Sequence, residues 1–129
     1  MKRIIHSSKV PAISAPLSQA TATENLIFVS GQLGRDETGK LPDCIEKQTE
    51  WCLKHMESIL SEAGATMADV LKTTVLLSNI TDTPAMNRAY AKFFQRDPPA
   101  RAAYQVAKLP MGALVEIEAV AVLPKKGKL

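Results

Sequence analysis

The stretch PPARAAYQVAKLPMGALVEIEAVAV, residues Pro98–Val122, decides how the sheet of this chain is put together. It reads as two strands, one opening near Ala100 and one near Val115, joined by a turn around Leu109–Pro110. Side chains alternate between the faces of a strand. Val115, Ile117, Ala119 and Ala121 therefore take one face, and Glu116, Glu118, Val120 and Val122 the other. In the strand before, Arg101, Ala103 and Gln105 share a face. A hairpin of these two strands is expected to bring Arg101 and the two glutamates to the same side of the sheet. That pattern has two readings. The charges are a structural Arg–Glu pair at a sheet edge, or they face a site in which a guanidinium fork holds an anion and a carboxylate orients water or moves a proton.

Upstream, Lys2–Ser7 is a short strand candidate, and the proline-bearing KVPAISAPLSQA (9–20) is a loop or an extended edge. ATATENLIFVSGQL reads as strand, turn at Glu24–Asn25, strand, with asparagine tolerant of positive φ. LIFVS is a continuous apolar run, expected to be buried on both faces and to stop at Gly31. From Asp43 to Ala63 the period becomes helical. Ile45, Cys52, Met56, Ile59, Leu60 and Ala63 form one apolar stripe, and Gly64 follows as a helix-ending residue. DVLKTTVLLSNI is again a strand, which makes a strand–helix–strand crossover. A second helix is expected to start with Thr83 as N-cap and Pro84 after it. Met86, Ala89, Tyr90, Phe93 and Phe94 are its buried stripe, and Pro98–Pro99 end it.

The expected order is β-β-β-α-β-α-β-β. That is an α+β fold, a single mixed sheet with two helices on one face, in one domain spanning 1–129 with a flexible basic tail at 124–129. The second face of the sheet then needs a cover, and self-association supplies one.

The 129 residues are 46% hydrophobic and 22% charged, a globular composition. The net charge is +3, but Lys2, Arg3, Lys125, Lys126 and Lys128 are terminal, and the body between them carries eleven basic against thirteen acidic residues. Aromatic residues are 5% of the chain and are not interleaved with basic ones, which argues against a nucleic-acid partner. Cys44 and Cys52 lie about 12 Å apart along the expected helix, too far for a disulfide. Two cysteines and two histidines give no zinc spacing. A reducing, cytoplasmic setting is expected, with no secretory leader and no membrane span. GRDETGK (34–40) lacks the spacing of a phosphate loop. His6 and His55 read as a strand-edge and a helix-surface residue, and Trp51 as packing or subunit contact.

PARAAYQVAKLPMGALVEIEAVAV closely resembles the C-terminal signature of the Rid (YjgF-type) family of imine and enamine deaminases, with its Pro-Ala-Arg, apolar strand, Leu-Pro turn and Glu-Ile-Glu-Ala. FVSGQLG around Ser30, DVLKTTVLL from Asp69 and MNRAYAKFF around Asn87 match in the same order, so the resemblance covers nearly the whole chain. It implies a chorismate-mutase-like fold and a homotrimer with a central β-barrel and active sites between subunits. It implies that Arg101 grips a substrate carboxylate and that Glu116 activates water. Ser30, Asn87 and Ala103 are implied to line the cleft. Leu17 stands where the family loop usually has tyrosine, which makes the pocket mouth apolar, and Ala103 stands where some relatives have cysteine. Glu118 matches a recurring position without a clear role.

The activity implied is hydrolysis of small 2-imino or 2-enamine acids, such as 2-aminoacrylate/2-iminopropanoate and 2-iminobutanoate, to 2-keto acids and ammonia. Pyridoxal-phosphate dehydratases release such intermediates. The chemistry needs neither metal nor cofactor. Two other readings stay open: a ribonuclease or translation inhibitor, as some relatives have been described, and a ligand-binding trimer of low turnover.

Overall fold

A computed structural model describes residues 1–125 of the chain. Strands β1 (Arg3–Ile5), β2 (Ala20–Ala22) and β3 (Leu26–Leu33) lead into helix α1 (Ile45–Glu62). Then come β4 (Val70–Leu77), helix α2 (Thr83–Ala91), β5 (Ala100–Gln105) and β6 (Val115–Val122). All six strands join one sheet in the order β1-β2-β3-β6-β4-β5. The α+β class, the element order and the mixed sheet agree with the reading of the sequence. The part of the basic tail at 126–129 lies outside the described residues.

The arrangement of the last two strands differs from the expected hairpin. β5 pairs with β4 in parallel, and β6 pairs antiparallel with both β3 and β4, so β4 lies between the two strands expected to be partners. The reason is burial. β6 carries Val115, Ile117 and Ala121 at 0% exposure and belongs at the sheet centre. β5, with five of its six residues exposed, fits only an edge, where small and charged residues cost least. The connection 106–114 carries the chain back across β4, turning through a short 3₁₀ segment at Pro110–Gly112.

The crossover has a consequence for every side chain. Thr73 sits beside both Arg101 and Ala119, and Val75 beside both Ala103 and Ile117. Laterally paired residues point to one face, so Arg101, Ala103 and Gln105 share the face of Val75, Leu77 and Ile117 that packs on the helices. Glu116 and Glu118, paired with Leu76 and Thr74, point to the opposite face. The expectation that arginine and glutamates share a side of the sheet is therefore reversed within one chain.

The helices bury their stripes on the first face. In α1, Cys52, Leu53, Met56, Ile59 and Leu60 are all at 0% exposure. Gly34 allows the closest approach: a Cβ there would collide with the backbone of Gln48. Buried Gln48 in turn donates to the Pro42 carbonyl (2.7 Å) and accepts from the Leu114 amide (2.9 Å), which pins the entry to β6. Two surface ion pairs, Arg88–Glu46 (3.2 Å) and Lys92–Glu50 (2.8 Å), set α2 along α1. Exposed pairs of this kind orient helices more than they stabilise them.

The element ends depart in detail from the pattern. Cys44 is the N-cap of α1 rather than a helical residue. Asp82, not Thr83, precedes α2, and Pro84 falls in its first turn. That helix stops at Ala91, well short of Pro98–Pro99. LIFVS is not buried on both sides: Ile27 and Val29 are buried while Phe28 is 47% exposed, and β3 continues past Gly31 to Leu33. His55 is buried, not on the helix surface, and its Nε2–H donates to the Arg35 carbonyl (2.6 Å). Burial holds its imidazole below the usual pKa, so it stays neutral.

The second face of the sheet carries Ile4, Phe28, Val120, Lys72, Tyr104, Glu116 and Glu118, with neither helix over it. Ile4 (59%), Phe28 (47%) and Tyr104 (47%) are large apolar side chains left exposed there. A sheet face of this composition calls for a covering surface.

Candidate functional site

The residues singled out from the sequence fall into two clefts. Arg101 leaves edge strand β5 toward α2, where one turn of helix places Asn87 and Tyr90 side by side at i and i+3. Its Nη1 donates to Asn87 Oδ1 (2.8 Å), and its guanidinium carbon stands 4.9 Å from the centroid of the Tyr90 ring. Among the described residues no carboxylate pairs with Arg101; the ion pairs formed are those of Arg88 and Lys92. The guanidinium is thus held by an amide and an aromatic face, both neutral, and its charge remains available to an anion. Around it Phe94, Pro98 and Pro99 complete an open cleft of about 380 Å³. Ala103 lies two residues further along the same face, half-buried against the core. It contributes no thiol.

Glu116 opens the other cleft, about 390 Å³, together with Leu17, Ile13, Gly31, Arg35 and Met111. Local structure explains its pose. The pairing of β3 with β6 slips between Val29 and Gln32, so a bulge falls at Ser30–Gly31. A Cβ on Gly31 would occupy the space of the Glu116 carboxylate, so the side chain lies flat across the bulge because glycine is there. Ser30 is held by its hydroxyl, which donates to the Ser18 carbonyl (2.6 Å), and by its amide, which donates to the Gln19 carbonyl (2.9 Å). These bonds tie the bulge to the segment carrying Leu17. Arg35 completes the tie by donating to the carbonyls of Pro11 (3.0 Å) and Ala12 (3.2 Å). Leu17 itself is 51% exposed at the cleft mouth. Met111, at the rim, has φ 59°, an uncommon conformation for a side-chain-bearing residue and one found often at functional sites.

Burial raises the pKa of Glu116 above the usual carboxylate value, and the neighbouring charge of Glu118 adds to the rise. The proton is therefore held more tightly in the folded chain than in the unfolded one. The ionised form costs stability, and that loss sets in as pH rises from the ordinary carboxylate range through the raised value. A carboxyl so placed gives and takes protons closer to neutrality. Cys52, buried beneath it, is no rival nucleophile: burial first, and the charge of Glu116 second, push its thiol far up, and its Sγ–H donates to the Gln32 carbonyl (3.1 Å).

The two clefts are not one. Arg101, Asn87 and Ala103 belong to the helix-bearing face at the β5 edge. Glu116 and Glu118 belong to the open face, with Leu17 and Ser30 beside the bulge. Glu118 is exposed and lies nearer Phe28, Lys72 and Thr74 than the Leu17 cleft. Sequence reading missed Gly31, Arg35, Met111 and the plate formed by Tyr90. For Tyr90 a signal was present, since Asn87 and Tyr90 share one helical face, but its apolar body assigned it to the core stripe. Among the described residues no group of His, Cys, Asp and Glu could hold a metal ion, and no helix is long and apolar enough to cross a membrane.

Comparison with known proteins places this geometry in context. The model of the Endoribonuclease L-PSP family matches residues 7–123. Reactive Intermediate Deaminase A, chloroplastic, of Arabidopsis thaliana is 45% identical over 95% of this chain and 66% of that longer protein. The 2-iminobutanoate/2-iminopropanoate deaminase of Capra hircus is 46% identical over 95% of this chain and 90% of its own length. Among solved structures, E. coli TdcF with bound serine superposes with a TM-score of 0.89 at 32% identity, covering 93% of this chain and 98% of that one.

Proposed function

Because the chain belongs to the Endoribonuclease L-PSP family and within it to the Rid proteins, we propose that it is a hydrolytic deaminase of small 2-imino acids and their 2-enamine tautomers. The observation that carries the reading is Arg101: a guanidinium fixed by neutral groups, with no carboxylate partner among the described residues, at the mouth of a cleft. Such a fork matches the carboxylate common to all 2-imino acids. The deaminase names of the relatives and the serine bound by TdcF fit a small carboxylate-bearing ligand.

The second requirement is a proton carrier, and Glu116 has the raised pKa for it. With Arg101 and Glu116 on opposite faces, one chain cannot close a fork and a carboxylate around a small substrate. A homotrimer joins them: the open face of the sheet is covered by neighbours, and the Arg101 cleft of one subunit meets the Glu116 cleft of the next. Ser30, Asn87, Ala103 and Leu17 then line one intersubunit site within an assembly of single-domain subunits. Cytoplasmic residence belongs to the same proposal, supported by two unpaired thiols, Cys44 and Cys52.

In the reaction, Arg101 holds the carboxylate and so fixes C2 of the imine. Glu116 accepts a proton as water oxygen bonds to C2 and the C=N π pair moves to nitrogen. The carbinolamine formed from the protonated imine receives that proton back on its NH2 nitrogen, the C–N bond breaks and ammonia leaves, and Glu116 takes the hydroxyl proton as the keto C=O forms. Positioning of two reactants supplies most of the rate, and a dry cleft strengthens both charged contacts. The test is release of 2-keto acid and ammonia from freshly generated 2-iminopropanoate and 2-iminobutanoate, above the spontaneous rate. Cleavage of RNA by the purified protein, lost in Arg101→Ala, would instead favour the ribonuclease reading.

Two expectations follow from the Glu116 cleft. The first concerns pH. A general base must be ionised, so kcat/KM falls on the acid side as Glu116 takes up its proton; burial and the Glu118 charge raise that limb, and the guanidinium of the neighbouring Arg101 lowers it. Glu118→Gln removes the like charge, so the acid limb moves to lower pH. A limb that stays in place in Glu118→Gln assigns the limb to another group.

The second concerns Leu17. Its apolar side chain at the mouth favours apolar 2-imino acids, and Leu17→Tyr adds a hydroxyl donor. One hydrogen bond to a charged group is worth about 1.5–3 kcal/mol, or roughly ten- to a hundred-fold in turnover of 2-iminopropanoate. The amide of Leu17 donates to the Ala15 carbonyl (2.8 Å), so the tight turn there limits how the new ring swings. Leu17→Tyr and Ala15→Gly/Leu17→Tyr are therefore compared on both imines. Unchanged rate and selectivity in both would remove Leu17 from the site.

A further inference from the structure

Arg101 is exposed and sits on an edge strand, a setting in which an arginine side chain is free to sample many rotamers. Here it is not free. Thr73 is the lateral neighbour of Arg101 in the β4–β5 pairing. Its hydroxyl, wholly buried, is 2.7 Å from the hydroxyl of Tyr90. Tyr90 lays its ring under the guanidinium at 4.9 Å, and Asn87 on the same helical face accepts from Nη1 at 2.8 Å. Three of these residues form a closed ring: strand pairing joins Thr73 to Arg101, the aromatic face joins Arg101 to Tyr90, and a buried hydrogen bond returns to Thr73. Phe94, its centroid 4.8 Å from that of Tyr90, packs against the plate.

We propose that Tyr90, anchored by Thr73, is the positioning residue for the carboxylate grip: it fixes the plane of the Arg101 guanidinium so that two N–H groups face the substrate carboxylate together. This deepens the deaminase reading and rests on Arg101 as the carboxylate-binding group.

The chemistry of the plate suits the task. A carboxylate in the place of Tyr90 would hold Arg101 as firmly, but it would neutralise the charge the substrate needs. An aromatic face attracts the cation through its quadrupole and leaves the N–H edge free. Burial raises the Tyr90 hydroxyl pKa, with Thr73 and Arg101 opposing the rise, so the ring stays neutral at physiological pH. Asn87 occupies one N–H on the helix side and leaves the rest of the fork to the cleft.

The test reads carboxylate affinity in two ways: the dissociation constant of 2-oxobutanoate, a stable keto acid, by calorimetry, and KM against kcat for 2-iminobutanoate. Tyr90→Leu removes the plate and is expected to weaken 2-oxobutanoate about tenfold, raising KM in step while kcat changes little. Thr73→Val/Tyr90→Phe deletes both hydroxyls, keeps the shape of the core and leaves no buried polar group unpaired. It frees the ring from its anchor and is expected to weaken binding about threefold. This variant carries the test if Tyr90→Leu does not fold.

The deciding comparison is made without Arg101. In Arg101→Ala, adding either Tyr90→Leu or Thr73→Val/Tyr90→Phe is expected to cost no further affinity, because the plate then has nothing to hold. If the Tyr90 changes cost the same with and without Arg101, or cost nothing in the presence of Arg101, the positioning role is wrong while the grip stands. If Arg101→Ala leaves 2-oxobutanoate binding unchanged, or the wild type neither binds the keto acid nor turns over the imine, the carboxylate grip falls and the positioning role with it.

Discussion

Arg101→Lys is expected to recover only part of the activity that Arg101→Ala loses. Lysine keeps the charge but replaces a planar fork by a single ammonium on a flexible stem, so the two parallel bonds to a carboxylate become one. Each hydrogen bond to a charged group is worth about 1.5–3 kcal/mol. Losing one lowers kcat/KM on 2-iminopropanoate roughly ten- to a hundred-fold, and losing both in Arg101→Ala lowers it about a hundred- to ten-thousand-fold. The grip is made in the ground state as well as in the transition state, so much of the loss falls on KM. Two features of the structure sharpen the expectation. A tetrahedral ammonium cannot lie flat on the Tyr90 ring and present two parallel N–H groups to the substrate. And Arg101 is exposed, so neither substitution opens a cavity or strands a buried polar group, and both variants are expected to fold. A lysine variant with full kcat/KM and unchanged assembly would show that charge alone, not a fork, does the binding.

The legibility of the site follows from what kind of information each residue carries. Alternation is a local property, so the faces of β6 could be read directly: Val115, Ile117 and Ala121 are inside, and Glu118 is outside. The helix stripes were legible for the same reason, since Met56, Ile59 and Leu60 recur at helical spacing and are fully buried. Strand order is not local. The Leu109–Pro110 turn suggested a hairpin, and only the contrast between an apolar β6 and a small, charged β5 hinted that one belongs at the centre and the other at the edge.

That single step of topology decides which face Arg101 takes. Alternation and a direct β5–β6 hairpin put Arg101 and the glutamates on one side, and the family resemblance supplies their roles; β4 lying between the two strands puts them on opposite faces. The bulge that seats Glu116 was equally hidden. Ser30–Gly31 reads as the end of a strand, whereas Gly31 leaves open the space in which the Glu116 carboxylate lies. His55 shows the same limit from another side. Its helical position looked like surface until the loop carrying Arg35 closed over it and took its hydrogen bond.

Opposite faces within one chain lead to the sharpest expectation about the assembly. If each site takes Arg101 from one subunit and Glu116 from the next around a three-fold axis, Arg101→Ala and Glu116→Ala homotrimers are both inactive for different reasons. Unfolding and refolding the two together in equal amounts makes mixed rings. In any mixed ring of three, reading around the axis in the direction of the contact, one interface joins an intact Arg101 to an intact Glu116, and the other two do not. Three-quarters of the rings are mixed and one site in three is whole, so activity returns to about a quarter of the wild-type value. A site built inside one subunit gives no recovery, because every subunit in the mixture lacks one of the two groups.

The parent variants, mixed without unfolding, provide the control: recovery then appears only as fast as subunits exchange. Sedimentation of the same samples must show trimers throughout, since a stable monomer at micromolar concentration would leave the open face carrying Ile4, Phe28 and Tyr104 uncovered and would remove the interface on which the site depends. Recovery near a quarter, with trimers present, requires that the fork and the carboxylate meet across the interface between subunits.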